Sequence, residues 1–159
     1  MSIIDFAKPA ILKISPAGDI MPLDAKGHAA IRYPDFGVEF AVGAGLLARN
    51  IKFDTAVKKC RDLQHAGDDG WILAPDLRLH LLTVDYSRSG PAADPDLFPD
   101  AVSEWHWTAH GCEWAGKDED GTPRAFWQVY GSSGHVLYGD RGRYYGVVRP
   151  CRLVPRPGQ

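Results

Sequence analysis

No run of the 159 residues approaches the roughly 18 consecutive apolar residues of a membrane-spanning helix, so a span is not expected. Charge of one sign is also lacking. Lys and Arg total 18 against 20 Asp and Glu, giving a formal net charge of -2 and a pI near 6.3. That balance argues against a nucleic-acid partner, and no charge run marks a tail. Cysteine is scarce: Cys60, Cys112 and Cys151 form an odd set without a CxxC. The N-terminus, MSIIDFAKPAILKIS, has no basic start, no continuous apolar core and no small-residue cleavage site. A cytoplasmic location is therefore expected, and with it free thiols.

What is present is a balanced globular composition, 45% hydrophobic and 24% charged, with 17 Gly, 12 Pro and five Trp. That mix favours many turns and short strands over a helical bundle. A chain of this length buries roughly two-thirds of its unfolded surface, enough to fold without a metal or disulfide.

Residues 10–23, AILKISPAGDIMPL, read as a hairpin about a Ser15-Pro16-Ala17-Gly18 turn. Residues 28–42 give two short strands broken at Pro34-Asp35; in the second, Val38, Phe40 and Val42 alternate with Glu39 and Ala41. Residues 53–65, FDTAVKKCRDLQH, give the clearest helix. Asp54 is its expected cap, Ala56, Val57, Cys60, Leu63 and Gln64 form one face, and Ala66-Gly67 is the expected end. A shorter helix is expected after Trp71, with Pro75 early in it and Leu77, Leu79, Leu81 and Leu82 following. Residues 86–104 form a long loop, expected to be functional or held by packing. WHWTAH (105–110), RAFWQVYG (124–131), HVLYGD (135–140) and YYGVVRPCRLV (144–154) read as an antiparallel sheet.

The order of these pieces resembles the Lcl C-terminal-like family, a domain of unknown function grouped near C-type-lectin-like and formylglycine-generating folds. The matching segments run from PDFGVEFAV through FDTAVKKCRDL and GWILAPDLRLHLL to DPDLFPDAVSEWHWTAH, RAFWQVYGSSGHV and RYYGVVRPCRL. They span about three-quarters of the chain, from near Tyr33 to near Val154. The chain departs from the family in two places. Trp71-Ile72-Leu73-Ala74-Pro75 stands where the family has Trp-Arg-Leu-Pro, and Val148-Arg149-Pro150-Cys151-Arg152 where it has Val-Arg-Cys-Val-Arg. The resemblance implies an α+β, C-type-lectin-like fold with two short helices packed on small antiparallel sheets with long loops. It also implies a division into an N-terminal β-hairpin arm over 1–32 and a C-type-lectin-like domain over 33–159. It places Cys60 beside Cys151, as a bonded pair or as two buried thiols.

Several residues invite chemistry. Cys112 with His106 or His110 invites a nucleophile, but four residues along a strand separate the two histidines by ~13 Å. The same three residues match no common zinc spacing. Asp94, Asp96 and Asp100, with Asp118, Glu119 and Asp120, offer oxygen ligands for calcium, though Asp in loops also serves turns. Gly131-Ser132-Ser133-Gly134 is followed by neither Lys-Ser/Thr nor a helix, so it reads as a turn, not a phosphate loop.

Aromatic density is the stronger signal. Trp105, Trp107, Trp114, Trp127, Tyr130, Tyr138, Tyr144 and Tyr145 fall within some forty residues. Trp71, Trp107 and Trp127 are expected in the core, and a small sheet cannot bury the rest. The candidate binding surface is therefore Arg141, Arg143, Tyr144 and Tyr145 about a GDRGR turn, with Trp105, Trp114 and Tyr138. The expected function is a non-catalytic binding module for a protein partner. A phage- or mobile-element-encoded protein acting on a host protein fits this reading by analogy. Glycan binding, a virion structural or receptor-binding role with homo-oligomers, and a formylglycine-generating-type enzyme are the alternatives. No catalytic residue, metal ligand or cofactor is assigned; calcium is the one ion entertained.

Overall fold

The computed structural model describes residues 9–43 and 49–158; the first eight residues of the expected N-terminal arm lie outside it. The Ser15–Gly18 turn closes as the Pro and Gly demand. Gly18 N–H donates to Ser15 C=O, the Ser15 hydroxyl accepts from Ala17 and Asp19 N–H, and Gly18 takes a φ of 92°. It joins β1 (Leu12–Ile14) to β2 (Ile20–Met21). β1 then pairs antiparallel with β3 (Ala30–Tyr33), so the hairpin continues the next sheet. A short 3-10 turn at Pro34–Phe36 reverses the chain into β4 (Val38–Ala41).

The helix α1 spans Phe53–Arg61. Its cap is Lys52 without a side-chain bond, and Asp54 sits in the first turn, where a carboxylate still meets the positive end of the helix dipole favourably. The buried face is Phe53, Ala56 and Cys60, while Val57 and Gln64 are exposed, so the apolar stripe is rotated from the expected one. The helix stops at Arg61, before Ala66-Gly67. Those two residues instead adopt positive φ inside a tight His65–Asp68 turn. The second helix, α2, is a single turn, Leu77–His80, continued by a 3-10 turn at Leu81–Thr83. Pro75 precedes it, and Asp76 caps it by accepting from Arg78 N–H at 2.8 Å.

The remaining strands are β5 (Trp105–Gly111), β6 (Ala125–Tyr130), β7 (Val136–Asp140) and β8 (Cys151–Leu153). They do not form one sheet. β5-β6-β7 is a three-stranded antiparallel sheet, whereas β8 joins the first sheet in the order β2-β1-β3-β4-β8. The expectation of a single sheet fails at residues 144–150. That stretch crosses over β5 through a parallel bridge at His106 and Val147, then carries Cys151 to Phe40 of β4. The architecture is α+β, with two antiparallel sheets and few short helices.

The core lies between these layers. Phe53 of α1 stacks on Phe126 at 3.6 Å and meets Trp107 edge-on at 5.6 Å. Trp71 packs with Ile14, Ala30 and Ala41, and Phe40 with Tyr33, Val38 and Phe98. Across the first sheet, Arg32, Glu39 and Arg152 stand opposite one another on β3, β4 and β8. The fully buried Glu39 carboxylate accepts from both guanidinium groups, so its charge is paired inside the sheet.

The long loop is held by packing. The Arg149 guanidinium, 3% exposed, donates to both Asp100 oxygens and to Ala41 C=O, and lies 5.0 Å from the Phe98 ring. Asp100 also accepts from Gly43 N–H, and a His28 ring nitrogen meets Leu97 C=O at 2.7 Å. Among the described residues, no helix is long and apolar enough to cross a membrane.

Candidate functional site

In β6 the side chains alternate between two environments. Phe126 and Gln128 turn inward, toward α1 and the 144–146 crossover. Val129 and Trp127 turn outward. The outer face is then divided along its length. At one end His106 and Val129 are roofed by the long loop, over a small cavity also lined by His80, Ala92 and Phe98. At the other end the loop does not reach: Trp127 is half-buried and Tyr138 exposed.

Trp127 and Tyr138 are directly opposite across β6 and β7, with ring centroids 5.9 Å apart and planes at 87°. Trp114, on the short 3-10 turn Glu113–Ala115, meets Trp127 edge-on at 5.6 Å. The three rings form a continuous edge-to-face row, the arrangement that aromatic quadrupoles favour. Trp114 is 82% exposed and Tyr138 44%. The placement of Trp127 in the core is thus corrected: it is half-buried and forms the floor of this face.

The row is held by its rim. Arg141 pairs with Asp118 at 2.6 Å, and Arg124 approaches the same carboxylate at 3.4 Å. Asp118 lies in a turn that returns at Pro123, closed by bonds between Asp118 and Thr122 and between Arg124 and Gly116. The chain segment carrying Trp114 leads directly into this turn. Arg141 therefore acts as a positioning residue, with its charge already engaged.

Tyr144 and Tyr145 are exposed on the other side of β7, on the crossover segment that Gln128 holds through Tyr145 C=O. The Lys52 ammonium stands 5.7 Å from the Tyr145 ring. Arg143 is exposed on the Asp140–Arg143 turn and has no ion pair among the described residues. Trp105 stacks on Tyr130 at 4.8 Å and is half-buried, away from the Trp114 row. The seven singled-out residues thus fall into two groups flanking β7, with Trp105 apart. Trp127 was missed as a surface residue because its alternation gives no sign of which half of the face the loop covers.

The other chemical candidates disperse. His106 is buried against His80, His110 Nδ1 accepts from Leu77 N–H, and Cys112 is buried. Burial holds the His106 imidazole down to about 4, with the Arg149 charge adding to it; His80 is lowered well below its ordinary value by burial, then by His106 and Arg149. The thiols of Cys60 and Cys151 are free. Both are pushed up to about 12, Cys60 by burial and Cys151 by burial with a smaller contribution from Cys60. Four of the six acidic residues weighed for calcium are engaged elsewhere: Asp94 accepts from Asp96 N–H, Asp100 serves Arg149, Asp118 serves Arg141, and Asp120 accepts from Thr122 N–H. Among the described residues no three His, Cys, Asp or Glu side chains are grouped to hold a metal. Gly131–Gly134 is the turn between β6 and β7, with Ser133 and Gly134 N–H both donating to Tyr130 C=O.

The chain matches no protein-family model, no curated protein and no solved structure.

Proposed function

We propose that the protein is a non-catalytic binding module that recognises a protein partner through the Trp114–Trp127–Tyr138 face. The observation that carries this reading is Trp114, a large apolar side chain 82% exposed yet packed against a second tryptophan and fixed by an ion-paired turn. Tryptophan and tyrosine in this setting offer rigid contact area at small entropic cost, surrounded by charged residues that form a rim. The finer fold assignment is part of the same proposal. A C-type-lectin-like domain related to the Lcl C-terminal-like family is supported by the two antiparallel sheets and the short helices. The thiols of Cys60 and Cys151, buried and raised to about 12, count against these two as a reactive cysteine pair of the formylglycine-generating type.

The test is affinity capture from lysate of the source organism or its host, comparing wild type with Trp114→Ala/Tyr138→Ala. Both side chains are exposed, so the variant keeps its melting temperature within a few degrees. A single protein retained by wild type and lost from the variant supports the reading. Equal retention by both, or retention of nothing, overturns it.

A further inference from the structure

β7 is an end strand of the three-stranded sheet, pairing with β6 alone. The opposite end strand, β5, is covered: Trp107 N–H donates to Val147 C=O, Val147 N–H to Trp105 C=O, and Ala109 N–H to Ala74 C=O. β7 carries no such cover among the described residues. The ladder with β6 is bracketed by Tyr130 N–H to His135 C=O and Arg141 N–H to Arg124 C=O. In the alternating antiparallel pattern Leu137 and Gly139 then bond to β6, while Val136, Tyr138 and Asp140 direct their amides to the open side.

An open edge is ordinarily guarded by Lys, Pro, a bulge or shortness. β7 has none of these over its five residues, and its one charged side chain, Asp140, stands at the far end and accepts from Gly142 N–H. Its register with β6 is unbroken, and Val136, Leu137 and Tyr138 are exposed in succession, so apolar side chains stand on both faces of the edge. Tyr138 continues into the tryptophan row on one face, and Leu137 stands on the other, the face where Tyr144 approaches Gly139.

We infer that β7 accepts an added strand, supplied by an extended, β-forming segment of another protein that carries an acidic residue beside Arg143. This rests on the proposed binding function and specifies its mode. The acidic requirement follows from charge. Arg143 is exposed and without an ion pair among the described residues, and it stands just beyond the end of β7. A second copy fits poorly. Antiparallel pairing of two β7 strands about Tyr138 sets His135 opposite Arg141 and Ser133 opposite Arg143, which supplies no anion to either arginine. Backbone bonds at Val136 and Tyr138 give such a segment its affinity, and its side chains meet the aromatic row and Leu137 on alternate faces.

The experiment is selection from a displayed library of random nine-residue peptides against the full chain, followed by amide exchange with a selected peptide bound. The expected pool alternates β-branched or aromatic residues and carries Asp or Glu at one end. On binding, the Val136 and Tyr138 amides become protected at least tenfold, while Leu137 and Gly139, already bonded to β6, change little. Arg143→Glu weakens the selected peptides about tenfold and turns a fresh selection toward Lys or Arg. Val136→Pro removes one outward amide without touching the β6 ladder and weakens them similarly. Should that variant fold poorly, the exchange pattern and Arg143→Glu still decide. A pool without alternation or acidic preference, or no pool at all, overturns the inference. So does a concentration-dependent dimer that protects the same two amides. Peptides that bind and are lost on Trp114→Ala, while the Val136 and Tyr138 amides exchange as in the free protein, overturn strand addition and leave the aromatic-face reading standing.

Discussion

Single buried residues hold the long loop in place, and they do so with charge. Arg149 and Asp100 are the only link of opposite charge among the described residues between that loop and the C-terminal crossover. Removing one partner of a buried pair leaves the other unpaired, which costs about 3–5 kcal/mol. Asp100→Ala is therefore expected to lower the urea midpoint sharply, and Arg149→Met with Asp100→Leu to recover part of it. Equal midpoints for wild type and Asp100→Ala would remove the pair from the account of the loop. The adjacent histidines set a pH response. His106 and His80 are buried facing each other and Arg149, and the Asp100 carboxylate acts on His106 in the opposite sense. Their native-state affinity for protons lies below that of the unfolded chain, so acid favours unfolding. Stability is complete above the ordinary imidazole value near 6.5 and falls as pH drops toward 4. His106 alone contributes on the order of 3 kcal/mol of that loss. Urea unfolding at pH 7, 5.5 and 4.5 checks this, and His106→Gln should flatten the profile. A midpoint that stays level across the series in wild type would refute the assignment.

Elements meet at glycines that admit no side chain. Gly131 follows β6, and a Cβ there would overlap the Val102 carbonyl oxygen and approach His106 to 2.9 Å. Gly131→Ala is expected to push the loop off the outer face of the sheet and cost about 2 kcal/mol or more. Thermal unfolding measures the loss, and a melting temperature unchanged from wild type would show that the loop gives way freely. Nothing in the sequence distinguishes this glycine from the others. The elements themselves were largely legible: the first hairpin, β3 and β4 about Pro34-Asp35, and β5 to β7 all follow from turn residues and alternation. Register between distant segments was not. β8 reads as one more strand after β7, but its partner is β4, more than a hundred residues earlier. The sequence carries no local mark of that pairing. The α1 stripe was misread for a related reason. Phe53 at the start of the helix, not Val57, faces Trp107 and Phe126, and only the position of the second sheet decides which face is inward. Trp127 follows the same rule, since its exposure depends on where a distant loop stops.

At the scale of the whole molecule, the first hairpin is woven into the rest. β1 is an interior strand, between β2 and β3, and Ile14 is fully buried with Trp71 and Ala66. Its turn is fitted against the His65–Asp68 turn so closely that a Cβ on Gly18 would lie 3.0 Å from Ala66 C=O, and one on Gly67 2.8 Å from Ala17 C=O. Lys13, buried on the same strand, donates to Ala25 C=O at 2.7 Å and so fixes the connection to β3. Deleting residues 1–27 would uncover the β3 edge and one side of Trp71 together. Truncating a buried Ile alone costs about 2–5 kcal/mol, and a domain of this size has some 5–15 kcal/mol in all. The truncated chain is therefore expected to lose its cooperative urea transition and its tryptophan environment. If instead it unfolds cooperatively near the wild-type midpoint, residues 28–159 fold alone and the hairpin is a separable arm.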